Sequence, residues 1–261
     1  MKRTLIKPEL SGFPDEFHSL LSTAAVFDSS CSQEARVYYL DRDGGLFLKS
    51  APKGTLKPEA DMNAFFHRKG LGPEVLQYLS LDRDWMLTRR IPGEDCTHTQ
   101  YLSQPKRLCD TLAELLRQLH EVDFSDCPVL HRNETYLTTA RQGMLEGRYE
   151  PELFPVRWQF ASKEETWQEI LQNGHTLKPD ALLHGDYCLP NVMLDNWRFS
   201  GFIDLGGGGL GDRHIDLLWG SWTLFFNLKT DAYFDRFLDA YGRDKIQPEL
   251  LRTVAALETF R

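Results

Sequence analysis

The chain changes character near residues 89–96, and this change constrains the fold more than any other feature. Residues 1–90 mix short β-rich runs with turns, whereas much of the remainder carries apolar side chains at helical spacing. In the first part, Val37 to Lys49 (VYYLDRDGGLFLK) is two β-rich runs flanking Asp-Arg-Asp-Gly-Gly, a hairpin signal whose glycines can take positive φ. In the second, Pro105 to His120 sets Leu108, Leu112, Leu115, Leu116 and Leu119 at helical spacing, and Lys163 to Leu171 and Tyr233 to Tyr241 also read as helices. An α+β chain follows. A small antiparallel-sheet lobe is expected over 1–90, a hinge containing Pro92 and Gly93 over 91–96, and a larger, mainly helical lobe over 97–261.

Strand alternation adds detail. In Leu46-Phe47-Leu48-Lys49, the two leucines share one face while Phe47 and Lys49 share the other, so an aromatic plane lies beside an ammonium. A solvated strand lysine would read the same way. Pro58 to Phe66 opens with proline and carries Glu59 in the first turn of an expected helix, and Trp85 to Thr88 reads as a short strand.

The helical part contains one β island. Ala181 to Leu183 runs into the loop HGDYCLPN (His184 to Asn191), Asn191 to Leu194 reads as a strand, Asp195 to Arg198 as a turn, and Phe199 to Ile203 as a returning strand that ends at Asp204. A hairpin centred near residues 196 and 197 places Asn191 and Asp204 at one end, within reach of one ion, with Asp186 beside them on the loop. Carboxylate and carboxamide oxygens of this kind suit magnesium, which normally keeps waters and is shared with substrate phosphates.

Composition excludes several classes of function. Hydrophobic residues at 41% and charged residues at 26% are ordinary for a globular chain. The basic start is broken by Pro8, Glu9, Pro14 and Asp15 before an apolar run develops, so export is not expected and a cytoplasmic location is. Leu217 to Leu228 is too short for a membrane span and reads as a core helix. The five cysteines form no CxxC pair, which argues against a zinc site or disulfide framework. The net charge of −8 argues against a nucleic-acid partner. Residues 1–90 carry 13 Lys/Arg against 12 Asp/Glu, and residues 91–261 carry 17 against 26. The acidic surplus of the second part either serves solubility or attracts a cationic substrate.

HGDYCLPN is similar to the catalytic loop HxDxxxxN of the protein-kinase superfamily, and Ile203-Asp204-Leu205-Gly206 to its metal-binding motif, in order after an upstream strand lysine. More narrowly, LLHGDYCLPNVM, FSGFIDLG, DRHIDL and ETF near the C-terminus resemble the aminoglycoside 3′-phosphotransferases, the kanamycin and neomycin kinases. The likeness runs through most of the chain. It implies a bilobal protein-kinase-like fold and magnesium-dependent transfer of the ATP γ-phosphate to an aminoglycoside hydroxyl, the 3′ position first, which confers antibiotic resistance; GTP stays open as donor. Asp186 would orient or deprotonate the attacking hydroxyl, and Asn191 and Asp204 would hold Mg2+. Lys49, steadied by Glu59, would meet the nucleotide phosphates, with Phe47 stacking on the adenine, backbone groups of Arg89 and Ile91 on the base edge, and Ser32 as a phosphate-loop serine. His184 would brace the loop. Glu258 and Phe260 match a Glu-x-Phe ending that binds the cationic acceptor, whereas Arg261 and the run Gly206 to Gly209 depart from the pattern. Monomer and homodimer both remain open. So do two other readings: a kinase for another small hydroxylated amine, and an inactive nucleotide-binding module of the same fold.

Overall fold

The computed structural model describes residues 3–31, 35–154 and 157–261; Ser32 lies outside them. The chain divides into two compact units, one comprising Met1–Pro92 with Ser200–Gly206, the other Gly93–Phe199 with Gly207–Arg261.

The first unit is built on β1 (Thr4–Ile6), α1 (Asp15–Thr23), β2 (Ala25–Asp28), β3 (Arg36–Asp41), β4 (Leu46–Pro52), α2 (Lys57–Arg68), β5 (Val75–Ser80) and β6 (Arg83–Arg89). Its strands form an antiparallel sheet in the order β1-β2-β3-β4-β6-β5. The β3–β4 turn takes positive φ at Asp43, Gly44 and Gly45, which the Asp-Gly-Gly run permits at little steric cost. Leu46 and Leu48 enter a core with Phe17, Leu21, Val26, Leu40, Trp85 and Leu87. Phe47 and Lys49 therefore share the opposite face, as alternation requires: Phe47 is opposite Tyr39 and Thr88, and Lys49 opposite Val37 and Met86. Helix α2 starts with Pro58 near its N-terminus and buries Met62, Phe65 and Phe66. It extends past the expected Phe66 because His67 and Arg68 carry no apolar signal yet suit a helix C-terminus.

The second unit contains β7 (Glu94–Asp95), α3 (Thr99–Leu102), α4 (Pro105–His120), α5 (Arg132–Leu145), α6 (Lys163–Asn173), β8 (Ala181–Leu183) and β9 (Val192–Asp195). The next strand, β10 (Arg198–Phe202), begins in this unit and ends in the first. There follow β11 (Gly209–Gly211), α7 (His214–Leu228), α8 (Phe234–Tyr241) and α9 (Pro248–Glu258). The expected leucines of α4 are buried, and the helix packs on α7 and α8. The turn between β9 and β10 falls at Asn196 and Trp197, both at positive φ. Trp197 is not a residue such a turn favours. It is held by the Tyr101 ring, 5.0 Å away edge-on, and by the Arg107 guanidinium 4.1 Å from its own ring. Helix α7, the most apolar segment, buries Ile215, Leu217, Leu218 and Leu224, and no helix among the described residues is long and apolar enough to cross a membrane.

Candidate active site

Two groups of expected site residues come together, one in each unit. In the first, the Lys49 ammonium donates to both Glu59 carboxylate oxygens at 2.9 and 2.8 Å and to Asp204 Oδ1 at 3.0 Å. Burial disfavours the ammonium, but the two carboxylates outweigh it and the Lys49 pKa moves up. Burial likewise pushes Glu59 up, with Lys49 opposing it. Glu59 is positioned by the first turn of α2, and Asp204 follows β10 in a left-handed conformation, φ 60°. A non-glycine residue held there carries strain of the kind that collects at functional sites. Phe47 lies 5.3 Å from the Tyr39 ring, and the Arg3 guanidinium sits 3.6 Å from Tyr39 and 5.7 Å from Phe47.

The loop from His184 to Asn191 is the centre of the second group. Asn191 Nδ2 donates to the Asp186 carboxylate at 2.8 Å and to its carbonyl at 2.9 Å, which leaves the carboxamide oxygen as the acceptor end of a buried side chain. His184 is fully buried and accepts from the Asp186 amide at 3.3 Å through Nδ1, so it braces the loop. The rest of the loop is pinned from several helices. Tyr136 of α5 donates to the Gly185 carbonyl at 3.1 Å, Tyr187 donates to Leu112 of α4 at 2.8 Å, and Leu189 N–H donates to Thr223 of α7 at 3.1 Å. Burial raises the phenol pKa of both tyrosines, so both act as donors across the ordinary pH range.

The remaining expected residues have partners of their own. The Arg89 amide donates to the Glu74 carbonyl at 2.9 Å, and its side chain pairs with the Glu74 carboxylate at 2.9 Å. Ile91 packs against Gly201. Glu258 at the end of α9 is buried, accepts from Trp219 Nε1 at 2.9 Å and pairs with Arg261 at 2.8 Å; burial pushes its carboxyl up while Arg261 pulls it down. The Arg261 guanidinium rests 4.0 Å from the Tyr136 ring. Phe260 is fully enclosed, with the Tyr149 and Trp167 rings 5.3 and 5.5 Å away.

Three further features carry no signal in local sequence. Asp216 of α7 is fully buried and accepts from the His184 amide at 2.7 Å and the Gly185 amide at 2.8 Å, which fixes the start of the loop. Gly185 takes φ 80°, and a Cβ on Gly207 would lie 2.8 Å from the Gly185 carbonyl oxygen, so the two glycines are needed for a close backbone approach. Asp212 accepts from the amides of Lys178 and His214 at 2.7 and 2.9 Å and from His214 Nδ1 at 2.6 Å. The DRHIDL run, read for its likeness, contributes two of these anchors.

The phosphotransferase enzyme family matches residues 30–256 of the chain. A probable aminoglycoside 3′-phosphotransferase of Lactococcus lactis subsp. lactis (strain IL1403) is 46% identical, over 98% of this chain and 97% of its own. An aminoglycoside 3′-phosphotransferase of Niallia circulans is 28% identical over 95% and 97%. Among solved structures, an aminoglycoside-3′-phosphotransferase of type VIII superposes with a TM-score of 0.71 at 24% identity, covering 96% of each chain. A Streptomyces rimosus aminoglycoside phosphotransferase in complex with ADP and streptomycin superposes with a TM-score of 0.68 at 22% identity, over 86% of this chain and 90% of that one. These structural likenesses give the fold: α+β and protein-kinase-like.

Proposed function

We propose that this chain, which belongs to the phosphotransferase enzyme family, is a cytoplasmic kinase that transfers the γ-phosphate of ATP to the 3′-hydroxyl of an aminoglycoside and so confers resistance. The observation that carries the phosphoryl-transfer reading is the meeting of Lys49 with Glu59 and Asp204, which brings a strand, a helix and a post-hairpin loop to one ammonium. The acceptor class is supported by the names of the near-full-length relatives.

The donor set fits magnesium. Asn191 offers a carboxamide oxygen and Asp204 a carboxylate, both hard oxygen ligands. No cluster of three or more His, Cys, Asp or Glu side chains that could hold a metal alone occurs among the described residues, which suits an ion shared with nucleotide phosphates. When bound, that ion neutralises charge on the transferring phosphate. Lys49 binds the phosphates, kept charged and aimed by Glu59, and Phe47 offers its ring to the base, with the Ile91 backbone at the base edge. Asp186 accepts the proton of the attacking hydroxyl, and Asn191 fixes its carboxylate. Transfer breaks the bond between the β,γ-bridging oxygen and the γ-phosphorus, forms a bond from that phosphorus to the hydroxyl oxygen, and leaves ADP. Glu258, with its paired Arg261 and the supporting Phe260, contributes to recognition of the cationic acceptor.

The test is mass spectrometry of kanamycin, neomycin and the 3′-deoxy compound tobramycin after incubation with the protein, MgATP and, in parallel, EDTA. One added phosphate on kanamycin and neomycin, none on tobramycin and none with EDTA is the expected result. Phosphorylated tobramycin would remove the 3′ assignment, and no mass gain on any of the three would remove the aminoglycoside.

A further inference from the structure

The end of α9 holds a cation against an enclosed carboxylate. Arg261 Nη1 donates to Glu258 Oε1 at 2.8 Å and to Oε2 at 3.1 Å, and the guanidinium lies 4.0 Å from the centre of the Tyr136 ring. Trp219 Nε1 donates to the same Oε1 at 2.9 Å. A carboxylate oriented by an indole N–H and flanked by an aromatic face is a set of groups that suits an ammonium ion. This set borders the loop that carries Asp186. The Tyr136 hydroxyl donates to the Gly185 carbonyl at 3.1 Å, and burial pushes the Glu258 carboxyl up with the negative charge of Asp186 adding to it. The Glu258 side chain is 3% exposed and that of Arg261 33%, so a cation arriving from solvent meets the guanidinium before the carboxylate. Release takes rotation of the side chain alone, since Arg261 lies past the end of α9 with its amide bonded to the Glu258 carbonyl at 3.2 Å.

From this geometry we infer that the Arg261 guanidinium is an intramolecular stand-in for an acceptor ammonium, occupying the anionic subsite at Glu258 until an acceptor displaces it. The carboxylate itself gives the reason for a stand-in. A charge this enclosed is unfavourable without a cation, and Arg261 supplies one in the free protein. Displacement then selects acceptors by their number of charges. A single ammonium exchanges one ion pair and one ring contact for others of the same kind, and gains nothing to offset the freedom lost on association. A polyammonium makes the same exchange with one group and adds contacts with the rest. Arg261 is thereby a specificity-determining residue that admits polyamines and turns away small hydroxylated monoamines. It also lowers the apparent affinity of every acceptor, because only the fraction of protein with Arg261 released is competent to bind.

The inference rests on the aminoglycoside reading, and binding measured without nucleotide separates the two. Titrations are followed by calorimetry and by the NMR signals of the Arg261 δ-methylene, which the Tyr136 ring shifts while the guanidinium is stacked on it. Kanamycin should move these signals to unshifted positions as it binds; kanamycin bound with the signals unmoved would overturn the inference. Glucosamine, which carries one ammonium, should leave them in place, and displacement by glucosamine as readily as by kanamycin would overturn the selectivity. Arg261→Ala should tighten kanamycin binding about 5- to 20-fold, since the subsite is then open in every molecule, whereas Arg261→Lys restores a stand-in and should stay within about twofold of wild type. Weaker or unchanged binding by Arg261→Ala would mean that the guanidinium supports the acceptor, and the inference would fall. Spermidine covers a misassigned acceptor. If kanamycin is neither bound nor phosphorylated but spermidine displaces Arg261 in the wild-type protein, only the aminoglycoside is removed; if neither polycation moves the signals, the inference is overturned.

Discussion

At the residue scale the two groups are built differently. Lys49 is held by opposing charges, whereas Asp186 is held by a neutral carboxamide that donates twice, to its side chain and its carbonyl. A neutral partner fixes the carboxylate without cancelling its charge, which suits the proton-accepting role proposed for it. Asp186→Asn should therefore leave the fold and nucleotide binding intact while kcat falls by about 10²–10⁴-fold, the usual worth of a general base. Steady-state kinetics with an ATP-binding titration checks this. Turnover unchanged in Asp186→Asn would exclude the assigned role, and an inactive nucleotide-binding module would not respond at all.

At the scale of elements, the loop depends on how closely β8 and β11 bring their flanking glycines together. Gly207→Ala would put a methyl group 2.8 Å from the Gly185 oxygen, where backbone on both sides resists movement. Relief of that clash should cost about 1–3 kcal/mol and disturb Asp186, lowering both Tm and kcat. Gly206→Ala is the control. Its Cβ would first meet Glu59 Oε2 at 3.4 Å, an ordinary contact, so its Tm should stay near wild type. Asp212, just before α7, gives a second test at this scale. Burial raises its pKa, but His214 and the amides of His214 and Lys178 more than reverse this, and the carboxyl lies below its ordinary 3.8. A carboxyl depressed in the folded state contributes stability that is present above pH 3.8 and lost as the pH falls through the folded value. Asp212→Asn should accordingly destabilise the protein by about 1–3 kcal/mol at pH 7, with the gap to wild type closing below about pH 4 in a Tm-against-pH series. The DRHIDL run carries two of these anchors, but what they hold was not legible in the sequence for a physical reason. Phe47, Lys49, the helix carrying Glu59 and the turn at residues 196 and 197 follow from periodicity and turn chemistry, which are local. Asp216 reaching the amides of His184 and Gly185, or Gly207 meeting Gly185, are contacts between segments whose approach no local pattern encodes. Helix α5, with its Tyr136 anchor, carries little signal of its own because Arg132 to Leu145 is mostly polar and buries Asn133 and Gly143 beside Tyr136 and Ala140.

At the scale of the whole molecule, charge is unevenly spread. Residues 91–261 carry 17 Lys/Arg against 26 Asp/Glu, whereas residues 1–90 are balanced within one charge. Several arginines of the acidic part are already engaged, among them Arg157 with Asp231, Arg236 with Asp110, Arg243 with Asp239 and Arg252 with Glu165. Such pairs cancel locally, whereas the surplus of carboxylates over cations sets a negative field that a polyammonium acceptor would sense at a distance. Exposed pairs of this kind add little stability, so the composition is better explained by attraction than by cohesion. Fields of that range are screened by salt, the Debye length shrinking from about 30 Å at 0.01 M to about 8 Å at 0.15 M. The KM for kanamycin should therefore rise severalfold across that interval while kcat holds and the KM for MgATP, an anion that the proposed function assigns to Lys49, does not rise in step. Kinetics at constant pH with NaCl as the only variable decides the matter. A kanamycin KM indifferent to salt would mean that the acidic surplus serves solubility, and that acceptor recognition is confined to short-range contacts such as those around Glu258.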